Sequence, residues 1–131
     1  MLSVAEKARL AARVWVRFGL VTVALRRKAL PALVGELAET DKSPPGRSYS
    51  AATLSNAVHR SLRLGSRRPR CLVQALVLFR LLREQGEPAE LLIGLPPQAP
   101  NQEAHAWVEL DGRDVGPPPG RHGHEEMARL P

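Results

Sequence analysis

The chain has 131 residues, 44% of them hydrophobic, which suits one domain with an ordinary core and excludes two independent catalytic domains. Its single cysteine excludes an internal disulfide framework and a cysteine-rich zinc module, and fits a reducing, cytoplasmic setting. The net charge of +6 is unevenly spread: residues 1–42 carry 8 basic and 4 acidic groups, 43–80 carry 7 and 0, and 81–131 carry 4 and 9.

The first predicted element is an amphipathic helix that runs to about Lys28. Ser3 followed by Glu6 is a capping-box pattern. Apolar residues then recur at spacings of three and four: Leu10, Val14, Phe18, Val21 and Leu25. Basic residues line another face, which we interpret as solvated rather than as a lipid or partner contact: Arg9, Arg13 and Arg17. Because charges interrupt the apolar run, we expect neither a signal peptide nor a transmembrane segment.

Two further helices are predicted before the basic part of the chain. Pro31 opens a short helix with one apolar side, which completes an N-terminal helical region at 1–42. A polar linker rich in proline follows at 43–49, and Ser50 can cap the next helix. The apolar stripes of these two helices consist of Leu33, Val34 and Leu37, and of Leu54, Val58 and Leu62.

A buried helix and an antiparallel sheet are predicted next. The stretch from Cys71 to Gln85 is apolar most of the way round, and Gly86 ends it. Residues 91–95 form a short apolar run of strand length, and 104–110 alternate with period two before the type I′ turn signal Asp111-Gly112. We therefore expect an α+β fold with a core at 50–118, followed by a tail at 119–131 that cannot continue a central strand and for which partial flexibility stays open.

The position of Cys71 gives it chemical interest. A lone cysteine is usually a small buried hydrophobe. Here it lies at the predicted first turn of the buried helix, directly after a basic loop that contains Arg67, Arg68 and Arg70. The helix dipole and these guanidinium groups lower the pKa of a thiol, and the thiolate is the nucleophilic form. Cys71 is therefore a candidate nucleophile.

Among four histidines, His105 is the best candidate for a general acid and base. His59 is on a helix with no partner near it, and His122 and His124 fall in the tail, whereas His105 is on a predicted strand. Period-two alternation gives it the same face as Trp107 and Glu109. Trp107 is interpreted as a hydrophobic anchor in preference to a substrate wall.

Two segments carry a resemblance to a known family. Arg70-Cys71-Leu72 opens an apolar helix, and Ala104-His105-Ala106-Trp107-Val108-Glu109 forms a strand. This pattern resembles the transglutaminase-like cysteine peptidases, and more narrowly the stand-alone leader peptidases of lasso-peptide biosynthesis, the B2 proteins. The resemblance covers about residues 45 to 118. It implies a papain/transglutaminase-like fold, with N-terminal helices around the cysteine-bearing helix and a small antiparallel sheet.

The resemblance also implies a reaction and its partners. A cysteine peptidase of this kind removes the leader from a ribosomally made lasso precursor peptide through a thioester, with Cys71 and His105 as catalytic residues. Its partners are the leader region of the precursor and a separate leader-binding recognition protein, with the ATP-dependent cyclase as a further candidate. The family pattern puts an aspartate about twelve residues after the histidine, where this chain has Pro117, so the third catalytic residue stays open. Aminolysis in place of hydrolysis also stays open.

Other classes of function have weaker support in the sequence. With 4% aromatic residues and no recognisable nucleic-acid-binding motif, we expect no nucleic-acid partner. We expect no metal, because Cys71, His105, His122 and His124 include only one closely spaced pair. No cofactor is expected either, since no phosphate-binding glycine loop occurs. The alternative function is a non-catalytic basic scaffold that binds an acidic peptide or nucleic acid.

Overall fold

The computed structural model describes residues 3–38, 49–62, 71–95, 105–116 and 125–130. The helices of these ranges are α1 (Val4–Arg27), α2 (Leu30–Ala38), α3 (Ala51–Leu62) and α4 (Cys71–Glu84). The strands are β1 (Ala89–Leu95), β2 (His105–Leu110), β3 (Arg113–Gly116) and β4 (Glu125–Leu130). The chain is thus α+β, as the sequence predicts.

Polar caps fix the helix ends where the sequence predicts them. Ser3 Oγ accepts a hydrogen bond from Glu6 N at 3.1 Å to start α1. Ser50 Oγ accepts from Thr53 N at 3.1 Å and caps α3 in the same way. Gly86 ends α4 with a φ of 80°, a conformation that glycine adopts without steric cost.

The core is built around α4, which packs against α1, α2 and α3 on one side and against β1 and β2 on the other. The apolar stripes predicted for α2 and α3 are buried, as are Leu10, Val14 and Val21 of α1. Phe18 and Leu25 pack against this core as partly buried side chains. Burial of α4 on both sides explains why its sequence is apolar most of the way round.

A buried ion-pair cluster joins α1 to α4, and it corrects the interpretation of the basic face. Glu84 on α4 has a side chain that is 8% exposed, and it pairs with Arg13 at 3.0 Å and Arg17 at 2.7 Å. Arg80 adds a third contact at 2.9 Å. Burial alone would raise the pKa of Glu84, but Arg80, Arg17 and Arg13 together bring it below its usual value. Arg13 and Arg17 therefore hold two helices together instead of lying free in solvent.

The sheet is antiparallel, with the strand order β3-β2-β1-β4. β2 and β3 meet at the turn Asp111-Gly112, whose φ values of 53° and 77° are those of the predicted type I′ turn. On β2, Ala106 and Val108 belong to the core cluster that includes α4. Trp107 and Glu109 alternate with them and therefore occupy the opposite face of the sheet.

The C-terminal strand is not predicted from the sequence, which indicates a flexible tail at 119–131. Residues 125–130 instead form β4, which pairs with β1 at the edge of the sheet. The three prolines at 117–119 precede β4 in the sequence, so they remove no backbone N–H from this strand. No helix among the described residues is both long enough and apolar enough to cross a membrane.

Candidate functional site

Cys71 is the first residue of α4. The first turn of a helix has backbone N–H groups without partners inside the helix, and the helix dipole favours a negative charge there. A thiolate at this position is stabilised by the dipole, and the amides of the same turn can donate to an oxyanion. The predicted helix start is thus confirmed, while the basic loop at 66–70 lies outside the described residues.

His105 is the first residue of β2, and its backbone pairs with Gly94 on β1. The strand itself is the one that the alternating pattern predicts. The cross-strand neighbour of His105, Gly94, has no side chain and its backbone is buried.

The connection between α4 and β1 brings Cys71 and His105 to the same end of the molecule. α4 has 14 residues and spans about 20 Å, and β1 has 7 residues and spans about the same length. The chain turns back at residues 85–88, so the start of α4 lies beside the end of β1. The end of β1 is also where β2 begins, because Gly94 pairs with His105.

Strand parity assigns position 105 to the face of the sheet that α4 does not cover. α4 packs on the sheet face of Ala106 and Val108, whereas position 105 shares its parity with Trp107 and Glu109. The backbones of Cys71 and His105 lie at the same end of the sheet.

Trp107 and Glu109 form a buried polar pair on this second face. Trp107 is fully buried, and its indole Nε1 donates to Glu109 Oε2 at 3.0 Å. Arg129 of β4 donates to Glu109 Oε1 at 3.3 Å and to Glu90 Oε1 at 3.1 Å. Trp107 is thus an anchor, as expected, because a fully buried ring cannot form the wall of a substrate cleft. The role of Arg129 has no local sequence signal, since it depends on the unpredicted strand β4.

The register of the β2–β3 hairpin matches the register predicted from the sequence near the turn and differs from it further along the strands. Glu109 pairs with Asp114, as predicted, but a bulge then pairs Val108 with Gly116. The side chain of Asp114 is exposed, and its Oδ1 accepts from Gly116 N at 2.8 Å. Asp114 is therefore engaged at the hairpin, about 13 Å of strand from position 105. Pro117 lies outside the described residues.

The other histidines lie away from this end of the molecule or outside the described residues. His59 is on α3, where its Nδ1 is buried without a hydrogen-bond partner. His122 and His124 lie outside the described residues. Among the residues that are described, no group of three potential metal ligands comes together.

The family assignment agrees with this architecture. A model of the transglutaminase-like superfamily matches residues 10–129, which include most of α1 and β4, all of the other helices and strands, and thus the positions of Cys71 and His105. The chain therefore belongs to the transglutaminase-like superfamily, which includes cysteine peptidases. No curated protein and no solved structure matches the chain significantly.

Proposed function

We propose that this protein is a cysteine peptidase that removes the leader from a ribosomally made lasso-peptide precursor. The observation that carries the proposal is the position of Cys71: the only cysteine of a chain in this superfamily is the first residue of its central helix. His105 is the first residue of β2, and its backbone lies at the same end of the molecule as Cys71. The resemblance of the Cys71 and His105 segments to the leader peptidases supplies the substrate class.

The reaction proceeds through a thioester. The Cys71 thiolate attacks the scissile carbonyl to form a C–S bond, while amides of the first turn of α4 donate to the oxyanion. As the C–N bond breaks, the His105 imidazolium gives its proton to the departing amine of the core peptide. Water then attacks the thioester and returns a proton to His105, which releases the leader as a carboxylate and regenerates the thiol. No metal or cofactor takes part in these steps.

Two catalytic variants test this proposal against the scaffold alternative. Cys71→Ala and His105→Gln should each abolish leader removal from a candidate precursor, as followed by mass spectrometry. Circular dichroism should stay near that of the wild type, because neither change removes a core side chain named above. His59→Gln is the matched control, since it alters a histidine on α3, and it should retain activity. Cleavage by the Cys71→Ala protein at the wild-type rate would reject Cys71 as the nucleophile, whereas the scaffold alternative predicts that this variant keeps its binding function.

A separate leader-binding protein is proposed as the partner that presents the precursor. The described helices and strands all pack on one core, and none of them forms a separate unit for gripping a long leader. Tethering by a partner can raise the effective concentration of the precursor to about the millimolar range. The partner should therefore lower the apparent KM more than it raises kcat.

The basic stretch from Arg60 to Arg70 is the proposed steering surface for the acidic leader or its partner. Its described member, Arg60, lines a cavity of about 400 Å³ between α1 and α3, together with Lys7 and the apolar Leu10. Charge steering weakens as salt rises, so stimulation by the partner should fall with ionic strength. The double change of Arg67 and Arg68 to Gln should also reduce the stimulation of cleavage by the partner.

The same double change at Arg26 and Arg27, which are exposed on α1, is the matched control and should leave this stimulation unchanged. Stimulation that is independent of salt would contradict this steering.

A further inference from the structure

We propose that α1 docks this protein on an anionic lipid surface, through a face of the helix that the core leaves uncovered. This inference goes beyond the proposed peptidase and does not depend on it. The face, which we call the apolar ridge, comprises all exposed residues of α1 between Arg9 and Arg26: Ala12, Trp15, Val16, Gly19, Leu20 and Val23. Every one of them is apolar or glycine.

Helical spacing places the apolar ridge on one side of α1, opposite the core. Residues three and four apart in a helix are neighbours on its surface. The ridge follows such steps, from position 12 to 15 and 16, then to 19 and 20, and then to 23. The buried residues of α1 lie on its other side: Leu10, Val14 and Val21. α1 is therefore apolar on two sides, and the fold covers one of them.

The apolar ridge exposes large side chains. Val16 and Leu20 are each 57% exposed, Val23 is 51% exposed and Trp15 is 38% exposed. Gly19 lies in the middle of the ridge, and no atom of another element lies within 4 Å of a Cβ added there. No other described element therefore covers this point. Contiguous exposed apolar patches mark surfaces that bind proteins or membranes.

Basic residues flank the apolar ridge at both ends. Arg9 is exposed before it, and Arg26 and Arg27 are exposed after it. Arg9 and Arg26 are about 26 Å apart along the helix axis. The ridge thus combines an apolar strip with positive charge at each end.

The acidic groups of the neighbouring helices do not offset these charges. Glu36 on α2 pairs with Lys28, and Glu84 on α4 is held by the arginine cluster described above. Glu6 is half-buried before the ridge and has contacts within the protein. α3 contains no acidic residue. An occupant of the ridge must therefore offer an apolar surface and negative charge together.

A second copy of the chain does not offer this combination. If two ridges pack antiparallel about a two-fold axis, Arg9 of one copy lies near Arg26 of the other. If they pack in parallel, each arginine lies near its own equivalent. Both arrangements bring like charges together without a carboxylate to neutralise them.

An anionic bilayer matches both features of the ridge. A helix that lies in the membrane interface buries its apolar face about 5–10 Å deep, and arginines beside that face extend to the lipid phosphates. Tryptophan favours the headgroup level. Trp15 lies at the margin of the ridge, where its ring meets Phe18 edge-on with centroids 5.4 Å apart. A single helix is also convex, which suits insertion among lipids.

The test is co-sedimentation of the full chain with large unilamellar vesicles. Wild type should bind vesicles of equal parts phosphatidylglycerol and phosphatidylcholine about tenfold or more tightly than vesicles of phosphatidylcholine alone, and this preference should fall as salt rises. The double variant Val16→Gln and Leu20→Gln should weaken binding by more than about tenfold, because two apolar side chains no longer enter the membrane. Glutamine also preserves the helix at these positions.

Matched controls separate the ridge from the rest of the surface. Val4→Gln changes a valine that is 85% exposed but lies outside the ridge, and it should alter the affinity by less than about twofold. Arg26→Gln should weaken binding to the anionic vesicles about fivefold, since this is the contribution of one arginine near such a surface. Arg113→Gln changes an exposed arginine on β3 and should leave binding unchanged.

Tryptophan fluorescence reports the orientation of the bound protein. The emission of Trp15 should shift to shorter wavelength on the anionic vesicles, whereas Trp107 is already fully buried and should not respond. Trp15→Phe should therefore bind the vesicles and lose the shift.

Three results would overturn the docking. The first is no binding of wild type to the anionic vesicles, and the second is equal binding by wild type and the Val16→Gln and Leu20→Gln variant with unchanged circular dichroism. The third is a dimer, or a complex with the leader-binding protein, that this double variant disrupts while wild type ignores the vesicles. That result would assign the ridge to a protein contact.

Discussion

Replacement of Glu84 by glutamine should destabilise the fold, because this carboxylate joins α1 to α4. Three guanidinium groups contact it at 2.7–3.0 Å, and its side chain is 8% exposed. Glutamine keeps the shape but loses the charge. A hydrogen bond to a charged group contributes about 1.5–3 kcal/mol, and relief from burying the charge offsets part of the loss. We expect a net loss of about 2–3 kcal/mol, or about 6–12 °C in Tm.

The pH dependence of this loss gives a sharper test. The pKa of Glu84 is lowered in the folded protein from an ordinary value of 4.5. Its stabilising effect is therefore fully present above about pH 4.5 and is lost as pH falls through the lowered folded value. The difference in unfolding free energy between wild type and Glu84→Gln should be constant from neutral pH down to this range and then shrink.

Urea denaturation followed by circular dichroism measures this difference at each pH. Glu36→Gln is the matched control, since Glu36 pairs with Lys28 at the surface and its side chain is 58% exposed. Exposed pairs contribute about 0–1 kcal/mol, so this variant should stay close to wild type. Equal effects of the two substitutions, or a Glu84→Gln effect that persists unchanged well below pH 4, would refute the role of the cluster.

Two further predictions concern the sheet and the helix ends. Glu109→Ala removes the buried carboxylate that accepts from the indole N–H of Trp107 and pairs with Arg129, and should cost about 1–3 kcal/mol, measured by urea unfolding with tryptophan fluorescence; an unchanged midpoint would contradict it. Gly86→Ala should lower stability by about 1 kcal/mol because its φ of 80° strains alanine, whereas Gly35→Ala in α2 should raise it by about 0.5–1 kcal/mol. Beyond the adjacent backbone, no atom lies within 4 Å of a Cβ added at either glycine, so a tertiary clash cannot explain a difference, and equal Tm values would reject the conformational cause.

Local signals in the sequence predict most of the fold. Ser3, Ser50 and Gly86 mark helix ends because capping depends on residues close in the chain. Asp111-Gly112 predicts its turn for the same reason. The burial of α4 follows from its composition.

The elements that sequence reasoning missed depend on contacts between distant residues. Nothing near Arg13 or Arg17 indicates that Glu84, far along the chain, lies beside them. The strand β4 has no alternating pattern and forms by pairing with β1. A tail without such a pattern does not predict a strand, and β4 is defined only by its backbone pairing with β1.

The candidate site was predictable to a similar degree. Cys71 and His105 begin the helix and the strand that the sequence predicts for them. Cys71 and His105 lie at the same end of the molecule because the chain reverses direction between α4 and β1. Hydrophobic periodicity alone does not specify this reversal. The face assigned to position 105 depends on which side of the sheet α4 covers, and the bulges further change the pairing.

The most direct test of the proposed chemistry is the intact mass of the protein after rapid acid quenching with a candidate precursor peptide and the leader-binding protein. The thioester mechanism predicts an adduct equal to the leader acyl group, bound at Cys71, that decays as free leader accumulates. His59→Gln should give the same adduct, and Cys71→Ala should give none. Release of leader by the Cys71→Ala protein, or turnover by wild type with the adduct on another residue, would contradict the assignment of Cys71 as the nucleophile.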